Sequence, residues 1–172
     1  MEAIRRYVLD ANVFIEAKQR YYGFDVCPGF WQALVWHHGR GCVLSIDRVR
    51  RELQGMGDEL QEWVEGTMPE ACFAASDSAD VLVAYGQAIQ WVQDQARFTP
   101  AAKAEFAQAA DGWLVAYARV TGAVVVTQEQ LRPDSRRRVF IPDLCQAMNV
   151  PYIDSFGFLR AVAAQFAWQP AV

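Results

Sequence analysis

Four acidic residues of this 172-residue sequence stand where they could do chemistry, because each lies at the border of an apolar segment. Asp10 directly follows a short apolar run, Glu129 comes shortly after another, and Glu52 and Asp111 lie beside apolar residues in segments with helical spacing. In an α/β domain, such borders line the carboxyl edge of the sheet, where ligands usually bind. Four carboxylates gathered there would repel one another unless a divalent cation neutralised them. The pattern therefore predicts a metal site, and with it phosphodiester chemistry.

Asp10 and Asn12 form the first candidate pair. Their side chains would leave the same side of the turn after a strand, and a carboxylate with an amide oxygen suits a hard cation such as Mg²⁺. The alternative is that either residue caps the helix expected over 13–18. For Glu52, the alternative is a solvated side chain or an ion pair with Arg48, four residues earlier. The local sequence leaves both alternatives open.

Asp111 and Glu129 come from the second half of the chain. Asp111 stands at an expected helix start among small and apolar residues, where a buried carboxylate must bond helix amides or bind something else. Helix capping is again the alternative. Glu129 follows an apolar run that ends in Thr127, so it repeats the arrangement of Asp10 and Asn12. That repetition favours a shared site.

Alternating strands and helices must position these acids. Runs dense in Val, Ile, Leu and aromatic residues predict strands over 6–9, 42–46, 123–127 and 151–153. Helical patterns separate them, with Asp47, Ser78 or Asp77, and Thr99 as expected N-caps and Gly122 as an expected helix end. Strands that alternate with helices along the whole chain predict an α/β fold with a parallel sheet covered on both faces.

Size and composition narrow the class of protein. A chain of 172 residues, 53% of them hydrophobic, is near the usual length of one domain, so we expect a single domain over 1–172. The formal net charge of −4 argues against a basic nucleic-acid coat but allows local basic patches. The four cysteines are widely spaced, which argues against zinc and redox motifs. No signal peptide or long apolar stretch is recognisable, so we expect a cytoplasmic protein without membrane contact.

Taken together, the acidic motifs resemble those of the PIN-domain family. The four matching motifs are Val8-Leu9-Asp10-Ala11-Asn12, Glu52, Ala110-Asp111-Gly112-Trp113-Leu114-Val115-Ala116 and Val125-Val126-Thr127-Gln128-Glu129. Their order and spacing agree with the family over nearly the whole chain. The segment 141–145 also resembles a subgroup of small stand-alone PIN proteins. In the fourth motif the family more often has Thr-x-Asp, and this chain has Glu129.

The resemblance implies a three-layer α/β/α sandwich around a parallel sheet of four to five strands and a metal-dependent nuclease. Many small bacterial members are VapC-type toxins that cut RNA and are held by an antitoxin, which would make RNA the substrate and an antitoxin a partner. The implied catalytic and metal-binding acids, for one or two Mg²⁺ or Mn²⁺ ions, are Asp10, Glu52, Asp111 and Glu129, the last directly or through water. The metal would activate a water for in-line attack on phosphorus. Side chains that hold the carboxylates and a water in place are expected at Asn12, Thr127 and Gln128.

RNA binding would need cations near the acids, because arginine can grip a phosphate through two hydrogen bonds. The candidates are Arg48, Arg51, Arg132 and Arg136, with Arg50, Arg137 and Arg138 beside them in the sequence. A run of arginines is also typical of a solvated loop. A homodimer contact through the C-terminal helical segment is a further possibility that the sequence leaves open.

Two other functions compete with the nuclease. The first is a catalytically inert module of the same fold that binds RNA or a protein partner, which would have no reason to keep four acids. The second is a phosphatase of the haloacid-dehalogenase type, which also begins with a strand ending in Asp. That class needs a second Asp where this chain has Asn12, so the sequence disfavours it.

Overall fold

Five short parallel strands form the sheet of this protein. The computed structural model describes residues 4–168 and 170. The strands are β1 (Tyr7–Leu9), β2 (Val43–Ile46), β3 (Phe73–Ala74), β4 (Val124–Val126) and β5 (Tyr152–Ile153). All neighbouring strands are parallel, in the order β3-β2-β1-β4-β5. With helices covering this sheet, the predicted α/β fold, a three-layer α/β/α sandwich with four to five strands, is confirmed.

The central strands are apolar on both faces. Val8, Leu9, Val125 and Val126 are completely buried, as expected for parallel strands that have helices on both sides of the sheet. Four of the strands fall within the predicted runs. The sequence did not predict β3, because two residues are too few to show any periodicity.

Helices account for most of the remaining chain. They are α1 (Ala11–Glu16), α2 (Pro28–Gly39), α3 (Asp47–Gln54), α4 (Glu59–Gly66), α5 (Ala79–Asp94), α6 (Pro100–Gln108), α7 (Asp111–Thr121), α8 (Ile141–Ala147) and α9 (Ser155–Ala161), with a π-helical turn over Ala17–Tyr21 and a 3₁₀ turn over Glu70–Cys72. Within the described residues, no helix combines the length and the apolar character that crossing a bilayer requires.

Most of the predicted helix ends are confirmed. The Ser78 hydroxyl accepts a hydrogen bond from the Val81 amide at 3.4 Å, and the Thr99 hydroxyl accepts one from the Ala102 amide at 3.2 Å. Gly122 ends α7 with φ +68°, a left-handed conformation that glycine adopts without steric penalty. These caps fix where α5, α6 and α7 begin or end.

The predicted role of Asp47 is wrong. The residue is the first of α3, and its side chain makes no capping bond to the helix amides. One carboxylate oxygen accepts from the Ser76 hydroxyl at 2.5 Å, and the other accepts from the Arg51 guanidinium at 2.6 Å. The physical reason is the short strand β3, because the chain that follows it brings Ser76 against the start of α3.

The strand order changes direction at β1. The chain first adds β2 and β3 on one side of β1, and then adds β4 and β5 on the other side. In open parallel sheets, the segments that leave the two strands at such a switch point separate and open a crevice at their carboxyl ends. Leu9 and Val126 are partners in register at the ends of β1 and β4, so the residues that follow them border this crevice.

Candidate functional site

Asp10 lies at the base of the crevice between β1 and β4. Its backbone amide donates to the Val126 carbonyl at 3.0 Å, and the residue is only 5% exposed. Although it precedes α1, its side chain accepts no hydrogen bond from the helix amides. Instead, carboxylate Oδ2 accepts from the Thr127 hydroxyl at 3.1 Å. The alternative in which the Asp10 side chain only caps a helix is therefore wrong.

The Thr127 hydroxyl joins the ends of the two central strands. While Oγ1 donates to Asp10, it accepts from the Asn12 side-chain amide at 3.3 Å and from the Glu129 backbone amide at 3.1 Å. These three bonds use the one donor and both lone pairs of the hydroxyl. The Asn12 side-chain oxygen also accepts from the Gln128 backbone amide at 3.0 Å. Asn12 and Thr127 thus occupy the orienting positions predicted for them.

The side chain of Gln128 lies elsewhere. Its Oε1 accepts from the Ser155 backbone amide at 3.3 Å, at the start of α9. Gln128 therefore contributes a backbone amide to the network around Thr127, whereas its side chain anchors a helix. Of the two residues after β4 expected to orient the acids, Thr127 bonds Asp10, and the Gln128 side chain bonds Ser155 instead.

Glu129 is held from both sides. Its side chain is 8% exposed, and one carboxylate oxygen is paired with the Arg138 guanidinium. The other oxygen accepts from the Ile141 backbone amide at 2.7 Å, at the start of α8. Both contacts come from the segment that follows the fourth motif. Glu129 can therefore act as a metal ligand only through its remaining lone pairs or after Arg138 moves away.

Glu52 and Asp111 face a common cavity of about 150 Å³, which we call the acid cavity. Its other polar lining residues are Glu105 and Arg138. Asp111 is the first residue of α7 and makes no capping bond, so the capping alternative fails for this acid as it does for Asp10. Among the described residues that line the acid cavity, Arg138 is the only cation.

The pKa values show that the four acids interact. Burial chiefly raises the pKa of Asp10 well above its ordinary value, and the charges of Asp111, Glu129 and Glu52 raise it further. Burial and the charge of Glu129 raise the pKa of Asp111 to about 7, against an opposing effect of Arg138. Burial also raises the pKa values of Glu52 and Glu129. The charges of the other acids therefore disfavour ionisation of Asp10 and Asp111.

The donor chemistry fits Mg²⁺ or Mn²⁺. Carboxylate oxygens, with an amide and a hydroxyl behind them, are the ligands that these hard cations prefer. The pKa values of Asp10 and Asp111 are raised first by burial and then by neighbouring acids, and a bound cation would offset both effects. The arrangement is not yet a coordination shell: in the described part of the chain, no three Asp, Glu, His or Cys side chains are close enough together to hold a metal ion. Metal binding would thus need side-chain movement, most directly of Glu129 and Arg138.

The predicted substrate-binding arginines separate into two groups. Arg48 and Arg51 line a second cavity of about 320 Å³, the arginine cavity, which shares Glu52 and Ala109 with the acid cavity. Arg132 and Arg136 are not among the described residues that line either cavity. Arg132 lies 5.6 Å from the centre of the Phe140 ring, so its guanidinium packs against the loop before α8.

Sequence reasoning missed the role of Arg138. The sequence predicts a phosphate contact for Arg136 in the arginine run over 136–138, whereas in the structure Arg138 of this run pairs with Glu129. A usable signal was the apolar residue that follows: Val139 is 3% exposed and lines the acid cavity, so the chain turns inward at this point.

The chain belongs to a family described as a domain of unknown function, DUF4411, whose model matches residues 7–166. The match spans all five strands and all four acids. No curated protein matches the chain closely enough to count as a relative. The family description names no activity, so the function must be argued from the site.

Proposed function

We propose that this member of the DUF4411 family is a divalent-metal-dependent endoribonuclease that hydrolyses RNA phosphodiester bonds at the acid cavity. The observation that carries the proposal is the placement of Asp10, Glu52, Asp111 and Glu129 around the switch point of a parallel sheet, with pKa values raised by burial and, for Asp10 and Asp111, by the charges of other acids in this group. Buried like charges are unfavourable for folding, and perturbed carboxylates in a cleft are typical of functional sites. The resemblance of the same four residues to the PIN-domain motifs supports the choice of nuclease chemistry.

The four acidic side chains have different expected roles in metal binding. Asp10, Glu52 and Asp111 would hold the metal, and Glu129 would join them directly or through a water. A bound Mg²⁺ or Mn²⁺ supplies Lewis acidity and lowers the pKa of a water so that hydroxide forms near neutral pH.

The remaining contacts keep that donor set in place. Thr127 and Asn12 fix the orientation of the Asp10 carboxylate through their hydrogen bonds, and the Ile141 amide fixes one oxygen of Glu129. Without metal, burial and neighbouring acids raise the pKa of Asp111 to about 7, and a bound divalent cation would favour its ionised form.

The biological setting that goes with this activity is also a proposal. We propose a cytoplasmic ribonuclease that acts as the toxin of a toxin-antitoxin pair, with a small antitoxin as partner and a homodimer as a further possible assembly. The support is the PIN-domain resemblance of the motifs. A neighbouring reading frame that encodes a small DNA-binding protein would favour the toxin role, and co-purification of its product with this chain would test it.

A catalytically inert RNA-binding or protein-binding module is the second candidate. Two observations favour it: Arg138 already pairs with Glu129, and the described acids do not stand as a formed metal shell. In that case Arg138 would serve as a permanent counter-ion in place of a metal. Calorimetry separates the candidates, because an inert module gives no heat of binding with Mg²⁺ or Mn²⁺.

The direct test is cleavage of a labelled RNA oligonucleotide with Mg²⁺, with Mn²⁺ and with EDTA. We expect cleavage that needs the metal and is lost in Asp111→Asn. The matched control is Glu105→Gln, which removes the same charge from an exposed acid of the same cavity and should retain most activity. Cleavage that persists in EDTA, or in Asp111→Asn, would contradict the mechanism. RNA binding without cleavage under any metal would favour the inert module.

A further inference from the structure

Three side chains beside the acid cavity form a continuous stack. The rings of Tyr85 and Trp113 are 3.7 Å apart and nearly parallel, at 13°. The Arg48 guanidinium lies 3.7 Å from the centre of the Trp113 ring. The Tyr85 hydroxyl donates to the Ala107 carbonyl at 3.1 Å, which ties the outer ring to the end of α6. The stack therefore holds the plane of the guanidinium fixed.

Gly112 makes this stack possible. A Cβ atom at this position would lie 3.0 Å from Tyr85 and 3.1 Å from Phe106, tighter than most real Cβ contacts, so one of these rings would have to shift by a few tenths of an ångström. Because glycine has no side chain, Tyr85 can approach α7 and reach the Trp113 ring. The residue after Asp111 thus builds the support for Arg48, and the support is joined in sequence to the acid site.

Arg48 differs from the other arginines around the site. Arg51 is paired with Asp47, and Arg138 is paired with Glu129. Among the described residues, Arg48 has no carboxylate partner, and its Nε is buried without a hydrogen-bond acceptor. A buried donor without a partner is unfavourable unless a ligand supplies the acceptor. The aromatic face satisfies the flat side of the guanidinium but none of its N–H groups.

The position of Arg48 indicates what this acceptor would be. The arginine cavity that it lines with Gln108 adjoins the acid cavity, because both contain Glu52 and Ala109. An anionic group bound by Arg48 would therefore lie next to the group bound at the acids. A polymer with regularly spaced anionic groups could place one group in each cavity. Two oxygens of a phosphate also match the geometry of a guanidinium held in one plane.

We propose that Arg48, held on the Trp113–Tyr85 stack, binds a backbone phosphate of the RNA strand adjacent to the phosphate that is cleaved. This inference rests on the proposed ribonuclease function and adds the contact that positions the strand. Arg48 is a positioning residue, since it grips a phosphate that does not react. Its contact also offsets the repulsion between the RNA and the acids, of which Glu52 lines both cavities.

The test measures RNA binding and RNA cleavage separately. Binding of a fluorescently labelled single-stranded oligonucleotide is measured in EDTA across a range of salt concentrations, for the wild type, Arg48→Gln and Arg48→Lys. The matched control is Arg119→Gln, which removes an exposed arginine from the opposite end of α7. A second series keeps the wild-type protein and replaces single phosphates of the RNA by uncharged methylphosphonates, so it depends on no variant that might fail to fold.

We expect Arg48→Gln to bind RNA about 10- to 100-fold more weakly, as for the loss of a charge-assisted contact. The slope of the logarithm of affinity against the logarithm of salt concentration should fall by about 0.7, the value for one phosphate contact on a single strand. Arg48→Lys should keep the slope and lose part of the affinity, because lysine keeps the charge without the planar fork. Arg119→Gln should change affinity by less than about twofold.

A methylphosphonate at one position next to the cleavage site should weaken RNA binding to the wild type. The same RNA should bind Arg48→Gln as weakly as unmodified RNA does, because the contact is already lost. If Arg48→Gln binds like the wild type, or if no single phosphate behaves in this way, the inference is wrong even when metal-dependent cleavage is observed. If the wild type neither binds nor cleaves RNA, the proposed function fails and the inference fails with it. The two failures are thus distinguishable.

Discussion

Replacing Asp111 by Asn tests whether the acid site holds more negative charge than it neutralises by itself. Burial first, and then the charge of Glu129, raise the pKa of the Asp111 carboxyl from 3.8 to about 7. Its ionised form is therefore less favourable in the folded protein than in the unfolded chain. Asn has nearly the same shape without the charge, so Asp111→Asn removes this penalty. A substitution that should abolish cleavage is thus expected to stabilise the metal-free protein.

The sign and size of the expected change in the free energy of unfolding follow from the pKa of Asp111. Well below pH 3.8 the carboxyl is protonated in both states, and the free energy of unfolding contains no penalty from it. As the pH rises from about 4 to 7, the unfolded chain ionises first, so the free energy of unfolding falls until the folded carboxyl ionises too. The full difference corresponds to about 4 kcal/mol near neutral pH. We expect Asp111→Asn to raise the free energy of unfolding by about 1–3 kcal/mol. This is less than the full difference, because Asn loses the favourable contacts that the charge makes.

Thermal unfolding in EDTA at pH 4.5 and pH 7.5 measures the effect. Asp111→Asn should unfold at a higher temperature than the wild type at pH 7.5, by about 2–4 °C for each kcal/mol, and the difference should shrink to about a quarter of that at pH 4.5. Added Mn²⁺ should stabilise the wild type and leave the variant almost unchanged. Glu105→Gln is the control for the removal of an exposed charge. A lower unfolding temperature for Asp111→Asn in EDTA at pH 7.5 would refute the electrostatic argument.

Three further substitutions test contacts at the site. Thr127→Val keeps the side-chain shape but removes the hydroxyl that donates to Asp10, so urea titration should show a loss of about 1–3 kcal/mol, with weaker Mn²⁺ binding. Arg138→Gln frees the Glu129 carboxylate from its ion pair, so calorimetry should show Mn²⁺ affinity raised about threefold to tenfold, and an unchanged affinity would count against a metal role for this acid. Gly112→Ala places a Cβ 3.0 Å from a tyrosine ring, so it should lower the free energy of unfolding by about 1–3 kcal/mol and weaken RNA binding, as measured by urea titration and fluorescence anisotropy.

The meeting of the acids could be predicted from sequence because parallel strands impose it. Asp10 and Glu129 each follow an apolar run, and neighbouring parallel strands end at the same edge of the sheet. Nothing beyond the strand pattern is needed to bring these two segments together. The partner of the Asp10 carboxylate was harder to predict, because the choice between a helix amide and the Thr127 hydroxyl depends on how the two strand ends are paired.

Contacts made by loops could not be predicted in the same way. Neighbouring side chains in an arginine run point in different directions. Which of them reaches Glu129 therefore depends on the exact path of the loop, and in the structure it is Arg138 rather than Arg136. The path of the loop is set by the start of α8, where the Ile141 amide donates to the same Glu129 carboxylate. The wrong role given to Asp47 has a similar cause, since its partner Ser76 is brought to it by a strand too short to recognise.

Charge explains how a protein of net charge −4 could bind RNA at an acidic site. The four acids account for −4 at full ionisation, so two divalent cations among them would offset the whole formal net charge. RNA phosphates would therefore meet a repulsive site without metal and an attractive one with it. Under the proposed function, metal and RNA must raise each other's affinity by the same factor, because such coupling is reciprocal. In that scheme Arg48 would supply the part of the attraction that persists in EDTA, since its charge does not depend on metal.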